Sequence, residues 1–335
     1  MRDGVIPHAA TAEEHADSYA PPQVLVITGP TATGKTELGV RLALELNGEV
    51  VSADSMQIYR GLDIGTAKPD LREMRGVAHH MLDVAAANES YSVARYIRQS
   101  AGCIDGILRR GRLPIIVGGT GLYIDSLLRG GGFAPAPEDR ELRSALERDY
   151  DALGGEILLR RLRDADPERA EKLAAADKRR IVRALEVFVL TGRTLTSFDR
   201  ESREVPPRYN ASIWALNYTE REMLYNRIDS RVDNMLLRGL EDEVKRLRDS
   251  GLSRDSTAGQ AIGYKEILSA LDGEIDMDAA VGLIKQESRR YAKRQLTWLR
   301  RTPELKWILW NNLPQNYDFS DAIYKIRQNL AFDFC

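Results

Sequence analysis

Eight consecutive residues carry the clearest chemical signal in this 335-residue chain: Gly29, Pro30, Thr31, Ala32, Thr33, Gly34, Lys35 and Thr36. Their spacing is G-x-x-x-x-G-K-T. An apolar run of β-forming residues precedes them (VLVIT, 24–28), and a helix-like pattern follows (ELGVRLALEL, 37–46). Phosphate binding needs that context. Backbone N–H groups of such a loop point at phosphate oxygens, and the N-terminus of the next helix adds positive potential. Lys35 supplies a mobile charge, and the Thr36 hydroxyl can reach Mg2+. The rival reading, a tight turn with no ligand, leaves this context without a purpose.

A missing acid narrows the chemistry. An enzyme that transfers a γ-phosphoryl group normally has a second acidic residue at the end of a core strand. The obvious strand here, LPIIVGGTGLY (113–123), ends in Gly118, Gly119 and Thr120, with no carboxylate. The acidic strand end is Asp54, in EVVSADSMQIYR (49–60). In an open parallel sheet the carboxyl ends of adjacent strands face the ligand crevice, which places Asp54 near the phosphate loop. Asp54 then either accepts a proton from an acceptor hydroxyl or nitrogen, or caps the turn that follows it.

Local charge points toward a polyanion. The chain as a whole, at a formal net charge of −2, does not. Residues 158–183 hold nine basic and five acidic side chains, and residues 285–306 hold eight basic and two acidic. In the second stretch, AKRQLTWLRR, Lys293, Arg294, Arg300 and Arg301 flank Trp298, so the charges could meet phosphates while the indole packs or stacks. The competing reading is a solvated helix face. His79-His80 has no further His or Cys at ligand spacing, which favours a structural role over a metal site.

The elements that must position these groups read as a doubly wound α/β core. Residues 24–28, 49–53, 114–118, 212–217 and 305–309 are candidate strands, several of them apolar without alternation, as in a parallel sheet covered on both faces. After a Gly/Pro hinge, RGGGFAPAPEDREL (129–142), the pattern is helical from about 138 to 191. Asp166-Pro167 predicts a helix start and Gly192 a helix end. Thr219, with Glu222 three residues on, predicts a capped helix carrying Arg227 and Arg231 on one face, with Gly239 as its breaker. The last long helix should stop near Arg301, before Thr302-Pro303. The expected organisation is a tail (1–20), a core (21–133 and 200–312), an all-helical insertion domain (134–199) and a C-terminal tail (313–335). Hydrophobic content of 43% and charged content of 29% fit a soluble globular chain. No apolar run approaches bilayer length, the first twenty residues have no secretory or transit character, and two cysteines cannot build a disulfide framework. A reducing cytoplasm is expected.

Together the motifs GPTATGKT, SADSMQIYRGLDIGTAKP, AHHMLD, VGGTGLY, RRIVRALEVF, AIGYKE and AKRQLTWLR, in this order between residues 24 and 310, resemble the tRNA dimethylallyltransferase family, also called tRNA isopentenyltransferases. The chain departs from the usual pattern at Thr33, where serine is common, and at Ala78, where proline is common. Without the zinc-finger extension of eukaryotic members, it resembles the bacterial type. The resemblance implies a P-loop (nucleoside-kinase-like) fold and transfer of a dimethylallyl group from dimethylallyl diphosphate to N6 of adenine 37 in the tRNA anticodon stem-loop. A loop that looks like an ATP site would then hold a prenyl diphosphate, with Mg2+ beside it through Thr36. It further implies catalytic roles for Asp54, Thr120 and Arg231. The implied tRNA-contacting residues begin with Asp54, Ser55, Met56, Gln57 and Arg143. They continue with Arg179, Arg180, Ile181, Val182, Arg183, Gln260, Ala261, Ile262, Gly263, Tyr264 and Lys265. Lys293, Arg294, Gln295, Leu296, Thr297, Trp298, Leu299 and Arg300 complete the set. A monomer with no membrane partner is expected.

Two other functions fit parts of the sequence. A small-molecule P-loop kinase uses Lys35 and Asp54 but leaves both basic segments and the helical insertion without a purpose. A nucleotide-gated RNA-binding protein uses the basic segments but gives Asp54 no role.

Overall fold

The computed structural model describes residues 22–129, 139–311 and 319–330. The expected N-terminal tail and most of the Gly/Pro hinge lie outside the described residues. The first half alternates strand and helix. In chain order it runs β1 (Gln23–Thr28), α1 (Lys35–Glu45), β2 (Gly48–Ser52), α2 (Leu71–Met74), β3 (His79–His80), α3 (Val93–Arg109), β4 (Leu113–Val117) and α4 (Gly121–Leu128). A run of helices follows: α5 (Arg140–Leu153), α6 (Gly155–Ala165), α7 (Pro167–Ala170), α8 (Lys178–Thr191) and α9 (Leu195–Glu204). The chain then re-enters the sheet through β5 (Asn210–Tyr218), α10 (Arg221–Leu237), α11 (Leu240–Asp249), α12 (Tyr264–Leu271), α13 (Met277–Leu299), β6 (Lys306–Trp310) and α14 (Ser320–Gln328).

The six strands form one sheet in the order β3-β2-β4-β1-β5-β6, and every pairing is parallel. β1, β2 and β4 are buried on both faces, which explains their unbroken apolar character. One face packs Leu25, Ile27, Trp214 and Leu216 against α1 and α14; the other packs Val24, Val26, Val51 and Ile116 against α3, α4, α12 and α13. From β1 the chain crosses to β2 on one side, and β5 and β6 extend the sheet on the other. That reversal opens a crevice above the strand ends, where the phosphate loop lies.

Helices α5–α9 gather around a core of their own, with Leu158, Leu162, Ile181 and Val182 buried at its centre. No strand occurs among the described residues of this stretch. Asp166 caps α7 with Pro167 at its first position, and Gly192 ends α8 in the left-handed conformation. The last helix starts at Leu195, which packs on this same core, and runs to Glu204, past the expected boundary at 199.

Three expectations are corrected. β3 was absent from the expected strands: two histidines have little strand character, and only the register Val50↔His79 and Val51↔His80 makes them one. Thr219 does not cap α10. Its hydroxyl donates to the Trp310 carbonyl of the neighbouring strand at 3.3 Å, and the helix starts from Glu220 without a side-chain cap. The segment 313–335, expected to be a tail, contains α14. Phe319, Ala322, Ile323 and Ile326 are buried in the sheet's core, each large side chain contributing roughly 1.5–3 kcal/mol of burial, and the Trp310 and Phe319 rings meet edge to face at 5.6 Å.

Candidate active site

A cleft of about 330 Å3 opens over the strand ends. Its floor comes from the first half of the chain: Thr31, Lys35 and Thr36 from the loop, Asp54, Ser55, Met56 and Gln57 after β2, and Gly118 and Gly119 after β4. Its walls come from α10 (Ile228, Arg231, Val232, Met235), residues 260–263, and α13 (Ile284, Ser288, Tyr291, Arg294, Gln295).

Close approach of two strand ends creates this floor. A Cβ on Gly118 would lie 2.2 Å from the Ala53 carbonyl oxygen, so only glycine lets the chain after β4 run so close to Asp54. Asp54 caps its own turn: Oδ1 accepts the N–H groups of Met56 at 2.8 Å and Gln57 at 3.3 Å. Thr120 Oγ1 accepts the Ser55 N–H at 3.0 Å and holds that turn from behind. The capping role read from sequence is therefore real. It occupies Oδ1, and the carboxylate still opens onto the cleft beside Lys35 and Arg231.

Those two cations set the electrostatics. Lys35 keeps some surface toward the cleft, but protein surrounds its amine, which donates to the Pro30 carbonyl at 2.7 Å. Burial and, after it, nearby Arg231 lower its pKa to about 7, with Asp54 opposing both. Arg231 is likewise pushed down by burial, with Asp54 again opposing, and its guanidinium donates to the Thr66 carbonyl at 3.3 Å. Two enclosed cations facing one carboxylate leave a site short of negative charge, as an anionic ligand requires.

The loop 63–67 that receives Arg231 is itself clasped. Buried Glu243 accepts the N–H groups of Asp63, Ile64 and Gly65 at 2.8–3.2 Å and the Tyr264 hydroxyl at 2.6 Å. Gln57 Nε2 donates to the Thr66 and Ala67 carbonyls at 3.3 Å, which joins this loop to the Asp54 turn.

The sequence-predicted residues separate into two groups. The cleft gathers Thr31, Lys35, Thr36, Asp54 to Gln57, Arg231, Gln260, Ala261, Ile262, Gly263, Arg294 and Gln295. Thr120 supports it from outside the lining, while Ala32 and Thr33 are buried inside the loop, where Thr33 Oγ1 donates to the Pro30 carbonyl at 2.9 Å. Lys293, Thr297, Arg300, Arg179 and Arg180 are exposed elsewhere. Several side chains in the expected tRNA-contacting segments are instead interior: Ile181, Val182, Tyr264 and Leu299 are at most 1% exposed. Their helices need one buried face, so only the opposite face of each segment can meet a partner. Arg143 and Arg183 both bind Glu186, which is fully buried. Trp298 is half-buried against Gly121 rather than free to stack.

His79 and His80 each have a partner within the fold, and His79 also lines the cleft. His79 Nδ1 meets the Val77 carbonyl at 2.9 Å, and His80 Nε2 meets Glu49 at 2.7 Å. Tyr291 and Ser288 were missed by the sequence reading. The stripe Ile284, Ser288, Tyr291, Gln295 has helical i, i+4, i+7, i+11 spacing and could have been found by it. Burial and the charge of Asp54 raise the Tyr291 pKa to about 12, with hydrogen bonding to Thr120 and Gln295 opposing, so the phenol stays a donor at neutral pH.

Among known proteins, the family model described as IPP transferase matches residues 57–302, and that for isopentenyl transferase matches residues 22–91. A tRNA dimethylallyltransferase from Geobacillus kaustophilus is 49% identical over 287 residues, spanning 85% of this chain and 90% of its own. Another, from Acetivibrio thermocellus, is 45% identical over 309 residues, spanning 92% of this chain and 96% of its own. The crystal structure of the full-length tRNA isopentenylpyrophosphate transferase of Bacillus halodurans matches at a TM-score of 0.67 and 42% identity, covering 91% of this chain and 94% of that one. A eukaryotic dimethylallyltransferase acting on tRNA matches at a TM-score of 0.79 and 28% identity, covering 92% of this chain and 80% of that one.

Proposed function

The chain belongs to the IPP transferase family, and from that premise we propose that its cleft transfers a dimethylallyl group from dimethylallyl diphosphate to N6 of adenine 37, beside the anticodon of tRNA. One observation carries the assignment of roles. The loop amine of Lys35, the guanidinium of Arg231 and the carboxylate of Asp54 face the same cleft, and among the described residues lining it Asp54 is the one acidic side chain, without the second acid that γ-phosphoryl transfer uses.

The adenine amine is a poor nucleophile, because its lone pair is delocalised into the ring. Asp54 accepts the N6 proton as the N6–C1 bond forms and the C1–O bond breaks. The electron pair of the broken bond leaves on diphosphate, whose charge is met by Lys35, Arg231 and the loop N–H groups. Thr120 keeps the Asp54 turn in place through Ser55. Adenine 37 must leave its stack to enter the cleft.

A divalent cation fits on limited terms. Among the described residues no group of three or more His, Cys, Asp or Glu side chains could hold a metal ion, so the protein alone offers no cage. Thr36 lines the cleft and its hydroxyl is a hard oxygen donor, of the kind that would help hold a hydrated Mg2+ beside the diphosphate. Bound there, Mg2+ would neutralise charge on the leaving group.

For the RNA, the exposed Lys293, Arg294 and Arg300 on α13 and Arg179 and Arg180 on α8 are the phosphate-facing charges. No helix among the described residues is long and apolar enough to cross a membrane, and a tRNA substrate supports a cytoplasmic setting. Incubation with tRNA and labelled dimethylallyl diphosphate tests the reading. Label in tRNA supports it. Label passing from γ-labelled ATP to a small metabolite in a parallel incubation, or RNA retention without product, would replace it by a kinase or a binding module.

A further inference from the structure

Gln295 lies in the segment 293–300, whose resemblance points to tRNA, yet the fold turns it inward. It is 7% exposed. Its Oε1 accepts the Thr31 N–H at 2.9 Å, and its Nε2 donates to the Gly119 carbonyl at 2.9 Å. One side-chain amide thus ties the first half of the phosphate loop to the turn after β4. The fit is close: a Cβ on Gly119 would lie 2.2 Å from Gln295 Nε2. Tyr291 and Trp298 flank Gln295 on the same inward face, while Lys293, Arg294, Thr297 and Arg300 stay exposed.

The loop needs such a restraint. Its second half is fixed by α1, but its apex includes Ala32 at φ 66°, a left-handed conformation that a residue with a Cβ adopts at a cost. The Tyr218 hydroxyl and the Trp310 indole hold apex carbonyls, at 3.1 Å each. Among the described residues, Gln295 is the side chain from outside the loop that holds one of its N–H groups. Preorganised donors bind an anion better than donors that must first be ordered.

We propose that Gln295 is a positioning residue of the diphosphate site and not an RNA contact: its amide sets the geometry of the loop against the Gly118-Gly119-Thr120 turn. The inference rests on reading the cleft as a diphosphate site.

Two variants of the full chain test it. Gln295→Met keeps length and bulk but removes both hydrogen bonds. Gly119→Ala leaves the glutamine in the sequence and displaces its amide. The affinity for inorganic diphosphate and for an anticodon stem-loop RNA is measured by calorimetry, together with donor KM and the single-turnover rate at saturating donor. Both variants should weaken diphosphate binding about tenfold, the scale of one lost buried hydrogen bond, with stem-loop affinity held within about twofold. Donor KM should rise more than the single-turnover rate falls. Three results would each overturn the proposal: RNA binding lost with diphosphate binding intact, an equal loss of both, or no change in either. Failure of the functional reading looks different. There the wild-type chain binds diphosphate, and both variants weaken it as stated, but no label reaches tRNA.

Discussion

Lys35 and Arg231 stand inside the cleft with protein around both charges, whereas Lys293 and Arg300 stand on the exposed face of α13, with Arg294 exposed at the cleft's edge. The two sets have the same sign and the same proposed target, phosphate, but opposite physics. The enclosed pair is held at a cost: burial and the neighbouring Arg231 bring Lys35 down to about 7 against the opposing charge of Asp54. That unfavourable state is relieved when an anion arrives, so binding energy concentrates on a compact, doubly charged group. The exposed set loses little by staying hydrated, and its contribution comes from counterions released when a polyanion docks. Charge counting along a sequence cannot distinguish the two. The basic stretch 158–183 shows the difficulty. Arg161, Arg169, Lys172, Lys178 and Arg183 pair with carboxylates there, which leaves Arg160, Arg163, Arg179 and Arg180 for a partner among the described residues.

The largest effect should come from the anion between the enclosed cations. Asp54→Asn keeps the turn, because an asparagine oxygen can still accept from Met56 and Gln57. It removes the base. Single-turnover transfer with both substrates saturating should fall by roughly 10²-fold or more, with both substrates still bound. Near-normal transfer would reduce Asp54 to the cap it also is.

A second test acts on the enclosed set through pH. Free Lys35 loses its proton near pH 7, and a bound diphosphate favours the charged form. Binding above pH 7 must therefore take up a proton, and affinity must fall as pH rises, by roughly tenfold per unit until the bound-state pKa is reached. Calorimetry at pH 8 in two buffers of different ionisation enthalpy should show uptake approaching about one proton. Lys35→Ala should abolish the uptake. RNA affinity, governed by arginines and exposed lysines, should not follow this pH dependence. A shared slope would erase the distinction between the two sets.

How far this division was readable from sequence depends on what each part rests on. The loop, the strand ends and the apolar strands are local patterns with fixed spacing, so Lys35, Thr36 and Asp54 could be placed in one crevice from topology alone. Thr219 misled because its hydroxyl was claimed by a strand far along the chain, Trp310 of β6, which no local motif records. The segment after residue 313 looked like a tail because Phe319, Ile323 and Ile326 become a buried face only once α1 is there to receive them. Gln295 sits between two arginine-rich flanks that suggest RNA, and only the inward turn of α13 gives it Thr31 and Gly119 as partners. Tyr291 and Ser288 were overlooked although their spacing is helical, because attention to charge hid the stripe between the charges.

The exposed set can be tested by salt. Replacing Lys293 and Arg300, which lie outside the cleft lining, by alanine should weaken tRNA binding severalfold at moderate salt and make the log–log salt slope shallower by roughly two. Inorganic diphosphate affinity should stay as in the wild type. An unchanged slope would mean that α13 presents a merely solvated face, and the comparison would lose its second half.

The smallest effect on RNA, and the sharpest test of which charges are free, concerns Arg143. The resemblance assigns it to tRNA, but the structure places it on Glu186, a carboxylate at 0% exposure that also accepts from Arg183 and from the Asp139 N–H. Burial pushes the Glu186 pKa up, but these three donors together overcome it and hold the group below the usual carboxylate range. Removing one donor leaves the charge less compensated in the helical unit's interior. Arg143→Ala should therefore lower stability by about 1–3 kcal/mol, the scale for a hydrogen bond to a buried charge. Glu186→Gln in the same chain should recover part of that loss, since the charge needing compensation is gone. A double-mutant cycle by denaturant unfolding measures this coupling. The salt slope of tRNA binding should move by less than about one in Arg143→Ala, against a change of about one for a full phosphate contact. A full unit of slope lost without coupling to Glu186 would return Arg143 to the free cations and show that the ion pair opens when RNA docks. Coupling without a slope change would place it with the charges that hold the protein together.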